Sequence, residues 1–383
     1  MRSLPCLLAV ILPLLYNVAA ACSDGTCKLL DDCSSDGDCG VGLYCFSCPF
    51  GFLGSRCVRS TVTNQFNLLM CLILVSSLIA SFFGQNNTLP FNKYAFLTTH
   101  NAFAIDGEPP HTGVPRVTVT NQEDSVTQQL NEPAIDTLKE VEAFLSANPT
   151  EIVTLILEDY VQAPNGLTKV FTDAGLMKYW FPLTSMPKNG QDWPLVSDMV
   201  AKNQRLLVFT SKRSKEQSEG IAYQWNYMVE NQCKKTSSIE PILFLSIYSL
   251  SPCQHSFLSH GDGGMKAGSC PNRAESPPLN DTSKSLVLVN YFRTTPFKPI
   301  TCKDNSGGLI NMLHTCYGAA GNRWANFVAV DYYKRSEGGG SFQAVDTLNG
   351  KLLCGCDDVH TSWINITSLL STIEKIIVTR PTI

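Results

Sequence analysis

Five short runs rich in apolar, β-branched and aromatic residues recur through the chain: AFLTT (95–99), EIVTLIL (151–157), RLLVFTS (205–211), SLVLVNYF (285–292) and FVAVDYY (327–333). Helical patterns separate them. Alternation of this kind is what an α/β chain with a parallel sheet requires, because each parallel strand needs a crossover before the next. Each run ends in polar or ionisable residues: His100 and Asn101, Glu158 and Asp159, Lys212, Arg293, and Asp331. In a parallel barrel the carboxyl ends of the strands build the active site, so the placement is that of an enzyme. Any one strand can end in a polar residue simply because it reaches solvent there. Five together favour a site.

The alternation breaks once. TNQEDSVTQQLN (120–131) reads as a helix, and EPAIDTLKEVEAFLSANP (132–149) reads as a second, with Ile135, Leu138, Val141 and Leu145 at helical spacing. No strand lies between them. A helix that covers a parallel sheet must be followed by a strand before the next helix begins. The pattern therefore implies either a fold other than a barrel or a barrel that lacks one strand-and-loop segment. In the second case AFLTT and EIVTLIL become unpaired edges.

With 383 residues, 44% of them apolar and 16% charged, the chain can bury one large core and a small satellite region. A net charge of −4 without any Lys/Arg block excludes a nucleic-acid footprint. Residues 1–21 have a short basic start, an apolar middle and a small-residue end, the layout of a secretory signal cleaved near Ala21. Residues 22–60 then carry Cys22, Cys27, Cys33, Cys39, Cys45, Cys48 and Cys57 with Gly, Ser and Asp between them. In a secreted chain that density reads as a disulfide-stapled region, and the rival is a zinc site using Cys45 and Cys48. Seven is odd, so one thiol needs a partner elsewhere or stays free. Sequons at Asn86, Asn280 and Asn365 fit the same export route. Within the linker at 61–90, the apolar run 68–83 is shorter than the roughly 20 residues that span a bilayer.

The motifs KYAFLTTHNAFAI, TNQEDSVTQQL, PAIDTLKEVEAFLSANPTEIVTLILEDYV, RLLVFTSKR and WANFVAVDYY resemble the phosphatidylinositol-specific phospholipase C X-domain proteins, in particular the secreted plant type with a Cys-rich N-terminal segment. The resemblance implies a distorted TIM-like (β/α) barrel over 91–360, here apparently lacking one strand-loop segment. It also implies cleavage of a phosphodiester by attack of the neighbouring inositol hydroxyl. Such a reaction needs a base for the hydroxyl and an acid for the departing diacylglycerol oxygen, and imidazole serves either role near neutral pH. His100 matches the family's base and Lys212 its phosphate-contacting lysine. Asp331 is placed to orient His100 as a triad carboxylate does. In the calcium-dependent branch Asn101 and Glu158 would be metal ligands, which makes calcium the one cofactor implied.

The resemblance also gives the gap a content. In the family the second histidine, the general acid, lies after the QQL helix, whereas here QQLN runs straight into EPAIDTL. His111, His255, His260, His314 and His360 match no catalytic position and read as surface or loop residues. Two stretches are foreign to the family pattern, 67–85 and 233–260, and the tail 361–383 departs from it as well; Glu374, Lys375 and Arg380 spoil a lipid-anchor signal there. The implied partner is a phospholipid or membrane surface, and oligomeric state has no sequence signal. The expectation is a phospholipase C-like hydrolase impaired in this form, with a catalytically inactive lipid- or phosphate-binding protein as the alternative. A glycerophosphodiester phosphodiesterase shares the barrel and an early histidine, but HNAF lacks its Gly-Ala and acidic pattern.

Overall fold

The structure, a computed structural model, describes residues 22–49, 54–59, 89–100, 122, 134–232, 268–293 and 298–354. The signal at 1–21, the apolar run 68–83, Asn101, the insert 233–260 and the tail lie outside the described residues, as do Asn86, Asn365, His111, His255, His260 and His360. So does the helix expected over 120–131, except Gln122, which forms a β-bridge rather than a helical turn. No helix among the described residues is long and apolar enough to cross a membrane.

An antiparallel hairpin, β1 (Leu43–Ser47) and β2 (Ser55–Arg59), forms the Cys-rich region. All five sequence-expected runs are strands: β3 (Phe96–Thr99), β4 (Val153–Leu157), β5 (Leu206–Thr210), β8 (Leu286–Asn290) and β9 (Phe327–Val330). Between β5 and β8 stand two strands that periodicity cannot reveal. They are β6 (Ala222–Tyr223) and β7 (Met228–Glu230), of two and three residues, joined by a single 3₁₀ turn. The helix Ala134–Ala147 fulfils the expected stripe, with Leu138, Val141 and Leu145 buried against Leu206 and Val208 of β5.

The strands form two parallel sheets, ordered β3-β9-β8-β7 and β4-β5-β6. One apolar cluster joins them: Leu207, Phe209 and Ala222 from one sheet meet Met228, Leu286, Leu288, Phe327 and Ala329 from the other. The opposite strand faces pack under helices. Val287, Val289, Val328 and Val330 lie against Leu309, Met312, Leu313, Val345 and Leu348. A sheet buried on both faces explains why these strands read as continuous apolar runs.

A closed TIM-like barrel is not what the hydrogen bonding shows. Among the described residues the ring is interrupted between β6 and β7 and between β3 and β4. Burial marks only the second of these breaks, since β6 and β7 are buried throughout. Every residue of β5, β8 and β9 is buried, whereas every residue of β3 and β4 is only half-buried. An edge strand leaves one row of backbone groups open to solvent and neighbours. Hydrogen exchange of the native protein is therefore expected to be faster in 96–99 and 153–157 than in 206–210, 286–290 and 327–330. Equal protection in all five would mean that the edges are covered.

The cysteine pattern resolves into crosslinks, and the odd thiol has its partner outside the region. Cys22–Cys27, Cys33–Cys45 and Cys39–Cys57 are local, whereas Cys48 bonds Cys302, 254 positions away. A fifth bond joins Cys270 and Cys316. The zinc alternative is thereby overturned, since Cys45 and Cys48 are each bonded to a different sulfur. The hairpin is docked as well as stapled. The Arg59 guanidinium donates to Asp346 at 2.7 Å, both side chains being buried, and the Tyr44 hydroxyl donates to the Lys334 carbonyl.

Candidate active site

Parallel pairing of β3 with β9 sets Thr99 beside Val330, so the next residues of each strand, His100 and Asp331, emerge side by side. The His100 amide continues the ladder to the Val330 carbonyl at 3.0 Å. Its ring Nδ1 lies 2.9 Å from Asp331 Oδ1, with the imidazole 27% exposed and the carboxylate 4%. An ionised carboxylate only accepts, so this contact places the proton on Nδ1 and leaves Nε2 as a base. Phe292, two residues beyond β8, stacks flat on the imidazole, with ring centroids 3.5 Å apart and planes 3° from parallel. The Gln122 side-chain amide donates to the carbonyls of His100 (2.7 Å) and Val330 (3.1 Å), closing the top of the β3–β9 pair.

Beside the dyad, Arg293 grips Asp304 with two parallel bonds, Nε to Oδ2 at 2.5 Å and Nη2 to Oδ1 at 2.7 Å. Hydrogen bonding to Asp304 holds the guanidinium pKa above its usual value. Phe292, Arg293, Asp304, Asn305 and Asp331 line one narrow crevice. Across the strand ends lies a second polar group, which sequence reading missed. Glu230, the last residue of β7, is buried and accepts from Trp225 Nε1 (2.9 Å), Gln224 Nε2 (3.0 Å), Asn290 Nδ2 (2.8 Å) and Arg273 (3.1 Å). Burial pushes its carboxyl pKa up, opposed by the Arg273 charge. Its signal was an apolar pair followed by an acid in YMVEN, hidden by the shortness of the strand.

The other expected site residues stand apart from the dyad. Glu158 follows β4 with its carboxylate 65% exposed, near Arg273 at 3.7 Å and accepting from the Tyr160 hydroxyl at 3.2 Å. The buried member of that strand end is Asp159, which is structural: it accepts from Thr210 Oγ1 and the Val161 amide. Lys212 is exposed after β5, at the start of the helix Arg213–Glu219, and its ammonium makes no ion pair among the described residues. His314 is exposed, edge-on to Trp324, as expected of a surface residue. Of the two expected calcium ligands, Asn101 lies outside the described residues. Glu158, Glu230 and Glu275 surround the guanidinium of Arg273, a cation already in place. The one cluster with metal-ligand spacing among the described residues is Cys33, Cys39 and Cys57, all disulfide-bonded.

Two parallel strands thus bring a histidine and a carboxylate together at their carboxyl ends. The PI-PLC X family model, described as PI-PLC X 1, matches residues 117–242, a span that holds Glu158 and Lys212. A PI-PLC X domain-containing protein of Arabidopsis thaliana is 44% identical over 382 positions, covering 91% of this chain and 79% of the relative. The chain belongs to the PI-PLC X domain family. Those 382 positions outnumber the residues of this chain that they cover, so within the aligned stretch the relative has residues with no counterpart here. No solved structure matches.

Proposed function

We propose that the chain is a phosphoric diester hydrolase of the phospholipase C type that keeps the base half of its acid–base pair and lacks the acid half. The observation that carries this reading is the His100–Asp331 contact at 2.9 Å. His100 Nε2 takes the proton of the inositol hydroxyl next to the phosphate; that oxygen attacks phosphorus and closes a cyclic phosphate. The bond from phosphorus to the diacylglycerol oxygen breaks. That oxygen leaves as an alkoxide needing a proton, and the family's second histidine, its donor, falls in the segment absent after Asn131. Asp331 holds the imidazole in the Nδ1–H tautomer, and Lys212 is assigned to the phosphate of an incoming lipid. The disulfides support a secretory route and a site of action at an extracellular or cell-surface membrane.

The same gap favours a second reading, in which the chain binds an inositol phospholipid or phosphate without turning it over. Phosphatidylinositol vesicles separate the two when the chain is compared with a form carrying a strand-and-loop segment after Asn131. Release of cyclic inositol phosphate by the restored form, far above the unmodified chain, is expected. A restored, folded form that binds vesicles and releases none would establish the binding reading instead.

A further inference from the structure

The Cys48–Cys302 crosslink lands next to the dyad. Cys302 lies in the last turn of the helix Lys298–Lys303, and the helix Leu309–Ala319 begins seven residues after it. Between them the backbone kinks: Asn305 has ψ 26° and Ser306 has φ −116°, ψ −135°, neither helical. A kink turns side chains that a continuous helix would carry around its axis toward one neighbour. Here the neighbour is the set of strand ends at the site. Asp304 takes both bonds from Arg293. Asn305, 1% exposed, donates from Nδ2 to the carbonyls of Asp331 (2.9 Å) and Tyr332 (3.0 Å). Tyr332 needs that support, because its φ of 45° is left-handed, a conformation an aromatic residue adopts only when its surroundings impose it.

The kink itself is tied at both ends. Ser306 Oγ donates to the Cys302 carbonyl at 2.7 Å, and the Glu337 amide donates to that carbonyl and to Ser306 Oγ, each at 3.1 Å. A Cβ on Gly308 would stand 2.8 Å from the Tyr291 hydroxyl, so the chain leaves the kink pressed against the residue beside Phe292. Both sulfurs of the staple are buried, Cys302 completely.

We propose that the Cys-rich region is part of the mount of the active site: the Cys48–Cys302 bond fixes the kink at 302–308, and through Asn305 the kink sets where the Asp331 carboxylate meets His100. Asn305 is then a positioning residue, acting through Asp331. The proposal rests on reading His100 and Asp331 as the reactive pair, yet its consequence is a proton position, measurable without turnover. A small error in the carboxylate costs the imidazole its Nδ1–H partner, and which nitrogen carries the proton is set by the hydrogen bond it makes.

Selective ¹⁵N-histidine labelling of the secreted full chain reads the tautomer of His100, assigned by its loss in His100→Ala. The native protein is expected to hold the proton on Nδ1. Cys48→Ser/Cys302→Ser and, separately, Asn305→Ser are expected to shift the folded protein several-fold toward the Nε2–H form. Cys22→Ser/Cys27→Ser, which removes a crosslink that stays within the Cys-rich region, is expected to leave the tautomer unchanged. A residue that only adds stability would lower the melting temperature without moving the proton in the folded state. Asn305→Ser carries the test if the double cysteine variant does not fold. Native tautomers in folded variants, or an equal shift in the Cys22/Cys27 control, would overturn the mount. A native proton on Nε2 would overturn the mount and the dyad together. An Nδ1 proton without cyclic phosphate from the segment-restored form would end the hydrolase reading alone.

Discussion

Replacing His100 with alanine is expected to lower cleavage of an inositol phosphodiester carrying an activated aryl leaving group by about 10²–10⁴-fold, the usual contribution of one positioned base. An aryl oxide of low pKa departs without a proton, so this substrate exposes the base half of the reaction by itself. His100 is half-exposed above a buried carboxylate, and Phe292 closes one face of its ring. Asp331 takes the Nδ1 side of the ring, which turns Nε2 away from the carboxylate. Asp331→Asn should give a comparable loss while keeping the shape, because an amide that donates to Nδ1 forces the proton onto Nε2 and removes the base. Unchanged aryl cleavage in folded His100→Ala would remove His100 from the mechanism.

Asp346→Ala is expected to destabilise the protein by about 3–5 kcal/mol, since it removes the buried carboxylate that accepts from the Arg59 guanidinium. Denaturant unfolding of the disulfide-bonded protein measures the difference. The cost is one of a broken buried pair rather than of a pair as such. Arg59→Met/Asp346→Leu, which removes both charges and keeps the volume, should recover most of the loss. A near-neutral Asp346→Ala would mean that water reaches the junction and that the hairpin is held by Cys48–Cys302 and surface contacts alone.

Strands β3, β4, β5, β8 and β9 were legible because a sheet buried on both faces writes continuous apolar runs, and His100 and Asp331 were legible as the first polar residues beyond two of them. Their meeting was not. It depends on β3 pairing with β9, strands more than two hundred positions apart, a closure that periodicity does not encode. Two helical patterns in succession raised the expectation of a missing strand, but of residues 120–131 only Gln122 is described, in a β-bridge, while β3 and β4 are half-buried. β6 and β7 were too short for any period, which concealed Glu230. The odd cysteine announced a distant partner without naming Cys302. Asp304 and Asn305 were invisible because only a kink between two helices, itself set by packing, gives them their direction.

The central claim is that the chain holds a working base without its acid, and the ratio of two rates tests it most directly. The unmodified protein should be assayed on an inositol phosphodiester with an aryl leaving group and on phosphatidylinositol, beside the form with the segment restored after Asn131. The restored form is expected to gain far more on phosphatidylinositol than on the aryl substrate, because only the alkoxide needs the acid. Equal gains on both substrates, or phosphatidylinositol cleavage by the unmodified chain at the restored rate, would contradict it.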